Sequence, residues 1–155
     1  MFEIPSAHTN YIFDNPPENF SLRFEVAACF IAVNDQFLFL KRQPHKSEGN
    51  TWGIPGGNAW EGRKSGAMRS EIEEETGIQI SESSIKYFGK VYIRYPELDY
   101  VYHMYGYDLI DFPEKVVIDT EGHTEYRWMT LRDALTLPLI RGEDEYIYLV
   151  YGKNS

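Results

Sequence analysis

The sequence predicts an α/β/α sandwich, in which helices cover both faces of a mixed β-sheet. The first observation is the order of its predicted elements, which runs strands, helix, strands and then helices. The second is the composition: 155 residues, with 43% hydrophobic and 15% aromatic residues, are enough for one domain with a substantial core. We therefore expect residues 1–155 to form a single domain.

The chain opens with an expected irregular lead-in over residues 1–20, where three prolines interrupt any periodicity. Leu22 to Val33 is rich in β-branched, aromatic and small apolar residues, which favours a mostly buried strand. Asn34-Asp35 is a plausible hairpin turn, and Phe37 to Arg42 is the predicted return strand.

A helix is predicted over Lys64 to Thr76, after a glycine-rich approach. Ala67, Met68 and Ile72 supply its apolar side. Gly77 is well placed as the C-terminal cap, because glycine adopts the left-handed conformation without strain.

The second half of the chain supplies further strands and two more helices. Strands are predicted over Ile85–Arg94, Tyr100–Leu109 and Glu125–Met129, the first two joined by a loop containing Pro96, and helices over Leu131–Leu135 and Glu143–Tyr151.

The charge and cysteine content exclude several classes of function. The formal net charge of -9 argues against tight binding of long DNA or RNA, which requires a basic surface. Cys29 is the only cysteine, so the chain has no internal disulfide, and an inert buried thiol is favoured over a nucleophile. No apolar run approaches the roughly 18 residues of a membrane span, and no signal peptide is evident, so we expect a cytoplasmic protein.

The predicted helix carries a row of acids. Glu71, Glu74 and Glu75 stand at i, i+3 and i+4 and so share one helix face, where their like charges repel. Carboxylate oxygens are the ligands that Mg²⁺ prefers, usually together with substrate phosphates. A solvated surface is the plain alternative for such a string, but the Gly56-Gly57 turn before the helix favours a metal site because glycine lets the backbone approach a ligand.

The whole segment resembles the signature of the Nudix hydrolase family, G-x5-E-x7-R-E-U-x-E-E-x-G-U with U aliphatic. The second half of that signature is present from Glu71 to Ile78, read EIEEETGI, and residues 52–57, read WGIPGG, resemble its usual lead-in. The resemblance, extending over residues 23–137, implies the Nudix fold.

The first half of the signature departs from the family pattern. It is one residue short, so that Glu61 lies one place early and Arg63 occupies the position of the motif glutamate. The motif arginine before Glu71 is replaced by Ser70, with Arg69 displaced by one. Because the missing pair braces the loop in the family, the departure affects loop rigidity more than metal binding.

The resemblance implies a divalent metal site with Mg²⁺ or Mn²⁺ as cofactor. Glu71, Glu74 and Glu75 are the implied carboxylate ligands, and the carbonyl of Gly56 is a further one. Glu71 and Glu74 are also the implied catalytic carboxylates on the helix, and Glu71 acts as general base in some relatives.

Many relatives add a catalytic acid from a later loop. Glu121 is the expected one here, with Asp119 as the fallback; Glu125 more plausibly pairs near its own strand. A solvated loop charge is the equal alternative for Glu121.

Three residues are predicted to bind substrate. Arg42 suits a phosphate because guanidinium matches phosphate oxygens, although an exposed strand-end charge is an equal alternative. Trp52 and Tyr95 are candidates for stacking on a base, although most aromatics serve the core. Tyr95 and Pro96 together resemble markers of two different substrate groups, diadenosine polyphosphates and ADP-ribose, and nearly cancel.

The resemblance implies a Mg²⁺-dependent pyrophosphohydrolase, whose first expected reaction converts a nucleoside triphosphate to a monophosphate and pyrophosphate. Dinucleoside polyphosphates, ADP-ribose and nucleotide sugars are the alternative substrates. A nucleotide-binding module without catalysis is a rival, and so is an isomerase that would require a reactive Cys29. The expected partner is a small nucleotide, and a homodimer is an expectation because dimers are frequent among relatives.

Overall fold

The computed structural model describes residues 11–58 and 64–152, apart from the side chains of 58 and 64–67. Glu61 and Arg63, where the signature departs from the family pattern, and the side chain of Ala67 therefore lie outside the described residues. Eight strands are present: β1 Ile12–Phe13, β2 Leu22–Val33, β3 Gln36–Arg42, β4 Trp52–Gly53, β5 Gly56–Asn58, β6 Lys86–Tyr95, β7 Leu98–Leu109 and β8 His123–Met129. The helices are α1 Lys64–Thr76, α2 Leu131–Ala134 and α3 Glu143–Tyr151, with a 3₁₀ turn at Glu82–Ser84.

The strands form one mixed sheet in the order β1-β6-β7-β2-β3-β4, with β5 added to β2 and β8 to β3. The long central pair of β2 and β7 is parallel, whereas the other pairings are antiparallel. Strand β2 thus meets the short strand β5 at one end and the hairpin partner β3 at the other. This arrangement places the glycine-rich turn beside the centre of the sheet.

Alternation along β2 divides the core into two layers, since successive strand residues point to opposite faces. Ala27, Cys29 and Ile31 pack with Met68 and Ile72 of α1. The other face buries its residues against α2 and α3, with this cluster: Ala28, Phe30, Ala32, Leu131, Ala134, Tyr146 and Ile147. The predicted α/β/α sandwich is confirmed.

Helix α1 begins and ends at the predicted residues. Met68 and Ile72 are fully buried, as predicted for its apolar side. Gly77 ends the helix with φ of 73°, and its N–H donates to the Glu73 carbonyl at 2.9 Å. That left-handed conformation is the reason a glycine stands there.

Besides small shifts at other strand ends and the unpredicted short strands β4 and β5, two regions differ from the sequence prediction. Within the expected irregular lead-in, Ile12–Phe13 forms β1 on the edge of β6, where Ile12 is buried at 2% exposure. The predicted loop around Pro96 is reduced to a tight turn, because the strand pairing continues to Tyr95 and Leu98. The guanidinium of Arg94 donates hydrogen bonds to both carboxylate oxygens of Asp99, each at 3.0 Å, across that turn.

No helix within residues 11–58 and 64–152 is long and apolar enough to cross a membrane.

Candidate functional site

The glycine turn and the acidic helix meet at the end of β5. The Gly56 N–H donates to Oε1 of Glu75 at 3.2 Å. A Cβ on Gly57 would lie 2.6 Å from Oε2 of Glu71, and one on Gly56 would lie 2.6 Å from the Ala27 carbonyl. Both glycines are therefore required by close approach: Gly56 lets β5 lie against β2, and Gly57 leaves room for a carboxylate.

Glu71 and Glu75 form a hydrogen-bonded pair in this restricted space. Burial raises the pKa of Glu75 well above its usual range, and the hydrogen bond and charge of Glu71 raise it further against the opposing effect of the Gly56 N–H. Burial also raises the pKa of Glu71, with the charge of Glu74 adding to the effect. The raised pKa values indicate that Glu71 and Glu75 share a proton. A positive charge is therefore favoured beside them.

These donors suit a hard divalent cation. Glu74 lies exposed beside the pair, on the same helix face. The described side chains gather no group of three His, Cys, Asp or Glu around a single point. A cation held by Glu71, Glu74 and Glu75 would thus take its remaining ligands from the Gly56 carbonyl, water and substrate phosphates, as Mg²⁺ commonly does.

A cavity of about 490 Å³ opens beside this acidic pair. Glu75, Gly56 and Gly57 line it, together with Arg42 and His123. Burial lowers the pKa of His123, and the nearby charge of Arg42 lowers it further, so the imidazole is neutral near neutral pH. The cavity lining therefore combines carboxylates with the permanent positive charges of Arg42 and Arg141.

Aromatic side chains also line the cavity. Phe24 stacks on Tyr100 with ring centroids 5.1 Å apart and an interplanar angle of 8°. Tyr102 stacks on Tyr146 at 4.0 Å and 17°. Flat aromatic faces of this kind suit a planar ring such as a nucleobase.

The predicted substrate residues fall into two groups. Arg42 and Tyr95 both line the cavity. The guanidinium of Arg42 donates to the Ser47 carbonyl at 2.8 Å, and that of Arg141 lies 3.5 Å from the ring centroid of Tyr95. The structure leaves Trp52 outside the lining residues.

The reason is that Trp52 is core rather than cleft. Its ring is 3% exposed. The guanidinium of Arg127 lies 4.8 Å from its centroid and the Lys41 amine 5.9 Å. Strand pairing with β3 turns the indole under these cations.

Among the predicted loop acids, Asp119 has the direct relation to the acidic pair. Its N–H donates to the Glu75 carbonyl at 3.3 Å, and its charge helps to raise the pKa of Glu75. The side chain of Glu121 is exposed, while its N–H donates to Oδ1 of Asp119 at 3.0 Å. Glu125 lies near Lys41 and Arg127, as expected for an acid that pairs beside its strand.

Several cavity residues were not identified from the sequence, and one of them is a buried acid. Glu143, the first residue of α3, is 1% exposed and lines the cavity. Its Oε1 accepts the Ile54 N–H at 3.1 Å across 89 residues of chain. No local motif marks it, and the only available signal was an acid opening a predicted helix, which is common at helix starts.

Comparison with known families confirms the class of protein. The model of the NUDIX domain matches residues 22–150, so the chain belongs to the NUDIX family. This membership, together with the acidic helix, identifies a hydrolase that acts on pyrophosphate bonds. No curated protein sequence matches the chain.

Solved structures share the fold at low identity. The MutT NUDIX hydrolase of Burkholderia pseudomallei superposes with TM-score 0.69 and 24% identity, over 82% of this chain and 97% of that one. The NUDIX domain of Shewanella oneidensis NrtR, complexed with ADP ribose, gives 0.70 and 18%, over 90% and 93%. A bifunctional NMN adenylyltransferase/ADP ribose pyrophosphatase from Francisella tularensis, complexed with AMP and Mn ion, gives 0.60 and 21%, over 83% of this chain and 40% of that one.

Proposed function

We propose that the protein hydrolyses a nucleoside triphosphate to a nucleoside monophosphate and pyrophosphate, with Mg²⁺ or Mn²⁺ as cofactor. The observation that carries the proposal is the partly buried Glu71–Glu75 pair against Gly56-Gly57, beside a cavity that is also lined by aromatic side chains. The acidic part of the lining suits metal-bound phosphates, and the aromatic part suits a base.

Glu71, Glu74, Glu75 and the Gly56 carbonyl would hold the metal. When bound, the cation supplies neutralisation of phosphate charge and a water of lowered pKa. A bound metal would relieve the repulsion between the carboxylates on this helix face. Without the metal, a shared proton relieves it. The Gly56 N–H holds Glu75 in position throughout.

The reaction is an attack by water on a phosphorus of the anhydride. The new bond joins the water oxygen to phosphorus, the bond to the bridging oxygen breaks, and pyrophosphate leaves with that electron pair. A carboxylate accepts the water proton, with Glu71 and Glu74 as the helix candidates. A further catalytic acid comes from the loop before β8, where Asp119 is better placed than the sequence-based choice Glu121.

Substrate is held at both ends of the cavity. Arg42 contributes a guanidinium for phosphate oxygens. Tyr95 and the Phe24–Tyr100 pair offer apolar faces for the base and sugar. Trp52 stabilises the wall from within the core and does not contact substrate.

A larger substrate is the second candidate, because a specific feature favours it. An open groove of about 890 Å³ continues past Tyr95, Leu98 and Arg141 and contains Arg23 and Arg94. It has room for the second half of a dinucleoside polyphosphate, ADP-ribose or a nucleotide sugar. The neighbours whose structures hold ADP ribose and AMP agree with this class.

The test is to incubate the protein with Mg²⁺ or Mn²⁺ and a panel of nucleoside triphosphates, dinucleoside polyphosphates, ADP-ribose and nucleotide sugars. Products are identified by mass spectrometry. Turnover of triphosphates to monophosphates, abolished by chelation, is the expected result. Turnover confined to the larger substrates would overturn the first candidate in favour of the second. Binding without turnover of any compound would leave only a nucleotide-binding module.

A further inference from the structure

Glu143 has a carboxylate oxygen that the fold itself does not use. The side chain is 1% exposed, and its Oε1 accepts the Ile54 N–H at 3.1 Å. Its Oε2 is buried and has no hydrogen-bond partner among the described residues. A buried acceptor left without a donor is costly, so such atoms usually meet a ligand or an ordered water.

Helix capping does not explain the burial of Glu143. An acid in the first turn stabilises a helix through its dipole, but Asp144 and Glu145 occupy the same turn of α3. Asp144 does so from an exposed position. Holding the Ile54 N–H requires only one oxygen. The second oxygen of Glu143 therefore has no structural role in residues 11–58 and 64–152.

The backbone segment Ile54–Gly56 holds this carboxylate in place, and the same segment binds the acidic pair. Glu143 binds the N–H of Ile54, and Glu75 binds the N–H of Gly56. The two amides are two residues apart, so at most about 7 Å of backbone separates them. One nucleoside spans that distance, from a phosphate at Glu75 to a base at Glu143.

The surroundings of Glu143 favour a flat ring over a sugar. Tyr102 and Tyr146, stacked at 4.0 Å, line the cavity with it, and so does Tyr100. Aromatic faces bind planar rings through dispersion and quadrupole contacts. A carboxylate beside such faces recognises the ring edge that carries N–H donors.

We propose that Oε2 of Glu143 accepts a hydrogen bond from an amino group of the substrate base, which makes Glu143 a specificity-determining residue. The inference rests on the proposed function, because it assumes a nucleotide whose phosphates lie at Glu75. It goes further by selecting amino-bearing bases over their deaminated or unsubstituted analogues. A site built to bind a donor rejects an analogue that lacks it, because its own acceptor is then left unpaired.

The test compares nucleotides that differ by a single amino group. AMP is paired with purine riboside monophosphate and GMP with IMP, and dissociation constants are measured by calorimetry with Mg²⁺ present. The protein should bind the amino-bearing member of at least one pair about tenfold more tightly. Glu143→Gln should bring that ratio to about one. Its amide nitrogen is a hydrogen-bond donor, so it would face the amino group of the base without accepting a hydrogen bond from it.

Two further variants make the result specific. Asp144→Asn removes the same charge from the same turn of α3 without touching the cavity, and it should retain the tenfold ratio. Glu143→Asp keeps the charge but withdraws it by one methylene, and it should lower the ratio. Circular dichroism of each variant checks folding, and if Glu143→Gln does not fold, the ratios of the wild type and Glu143→Asp decide the question.

The proposal is overturned by equal binding within both pairs, or by a ratio that survives Glu143→Gln. It is also overturned if the preference follows the ribose 2′-hydroxyl, which 2′-deoxy AMP and GMP test. Monophosphates have no anhydride bond, so binding is read without hydrolysis. A wild-type ratio that Glu143→Gln removes, in a protein that hydrolyses nothing, would sink the proposed function and keep this inference.

Discussion

Two acids, the partly buried Glu75 and the fully buried Glu143, accept hydrogen bonds from the same short backbone segment, Ile54–Gly56, in different surroundings. Glu75 binds the Gly56 N–H beside Glu71, with Asp119 also near enough to raise its pKa. Glu143 binds the Ile54 N–H among tyrosines, and burial raises its pKa to about 7. Glu75 thus lies close to other carboxylates, whereas Glu143 lies mainly among aromatic side chains.

The different surroundings of Glu75 and Glu143 indicate what each part of the cavity can bind. Several carboxylates that repel one another are relieved by a cation, which brings phosphates with it. A single carboxylate with one unused oxygen is relieved by a neutral donor, because a full positive charge would need more ligands than those aromatic side chains offer. Under the two proposals above, the backbone from Ile54 to Gly56 would lie alongside the nucleoside, between its phosphate and its base.

The largest expected effect comes from removing the charge of Glu75. Glu75→Gln keeps the shape of the side chain and its acceptor for Gly56, but it removes a metal ligand, so kcat/KM should fall by about a thousandfold. Steady-state hydrolysis of the best substrate in the panel measures this. Circular dichroism should show an intact fold.

Glu73→Gln is the matched control, because Glu73 lies exposed on the same helix. It should change kcat/KM by less than about twofold. Activity retained in Glu75→Gln would remove the acidic pair from the chemistry and leave the two ends of the cavity without distinct roles.

The fold was largely predictable because its signals are local. The β-branched run of β2, the capped helix α1 and the predicted α3 are each contained in a dozen or so neighbouring residues. The strand β1 was missed because Ile12–Phe13 is defined by its pairing with β6, some eighty residues later. The predicted Pro96 loop is instead a tight local hairpin turn, because β6 and β7 stay paired up to Tyr95 and Leu98.

The site divides in the same way. Glu71, Glu74 and Glu75 could be found because helical spacing alone brings them to one face. Trp52 was predicted to stack on substrate because its chemistry suits that role, whereas the structure buries it in the core and outside the cavity lining. Glu143 reaches Ile54 across 89 residues, so no window of sequence contains that contact.

The second prediction concerns stability at the apolar end. The folded pKa of Glu143 is about 7, above its ordinary value of 4.5, so the folded state holds a proton that the unfolded state has lost. The stabilising contribution is complete below about pH 4.5 and is lost as pH rises through 7. Relative to the wild type, Glu143→Gln should gain up to about 3 kcal/mol in unfolding free energy between about pH 5 and pH 8.

Urea unfolding at several pH values measures that difference, and Asp144→Asn serves as its control. Asp144 is exposed in the same helical turn, so its variant should track the wild type across this range. Parallel curves for wild type and Glu143→Gln would mean that Glu143 ionises freely, which contradicts its burial in an apolar wall.

The third prediction concerns the space at the acidic end. In Gly57→Ala the new Cβ would fall 2.6 Å from Oε2 of Glu71, so that carboxylate must move. The displaced atom is the end of a flexible side chain, and the fold should survive while kcat/KM falls about thirtyfold and more Mg²⁺ is required. Gly56→Ala provides the contrast, because its Cβ meets the backbone of Ala27 and should lower the melting temperature instead. Equal loss of stability in both variants would refute the distinction.

The smallest effect separates two acids of one loop. Asp119→Asn removes a charge that acts on Glu75, and it retains Oδ1, which accepts the Glu121 N–H and holds the loop in shape. We expect kcat/KM to fall about tenfold with Asp119→Asn and less than about threefold with Glu121→Gln. Assays at fixed Mg²⁺ measure both variants. The reverse order would restore Glu121, the acid that the sequence alone selected.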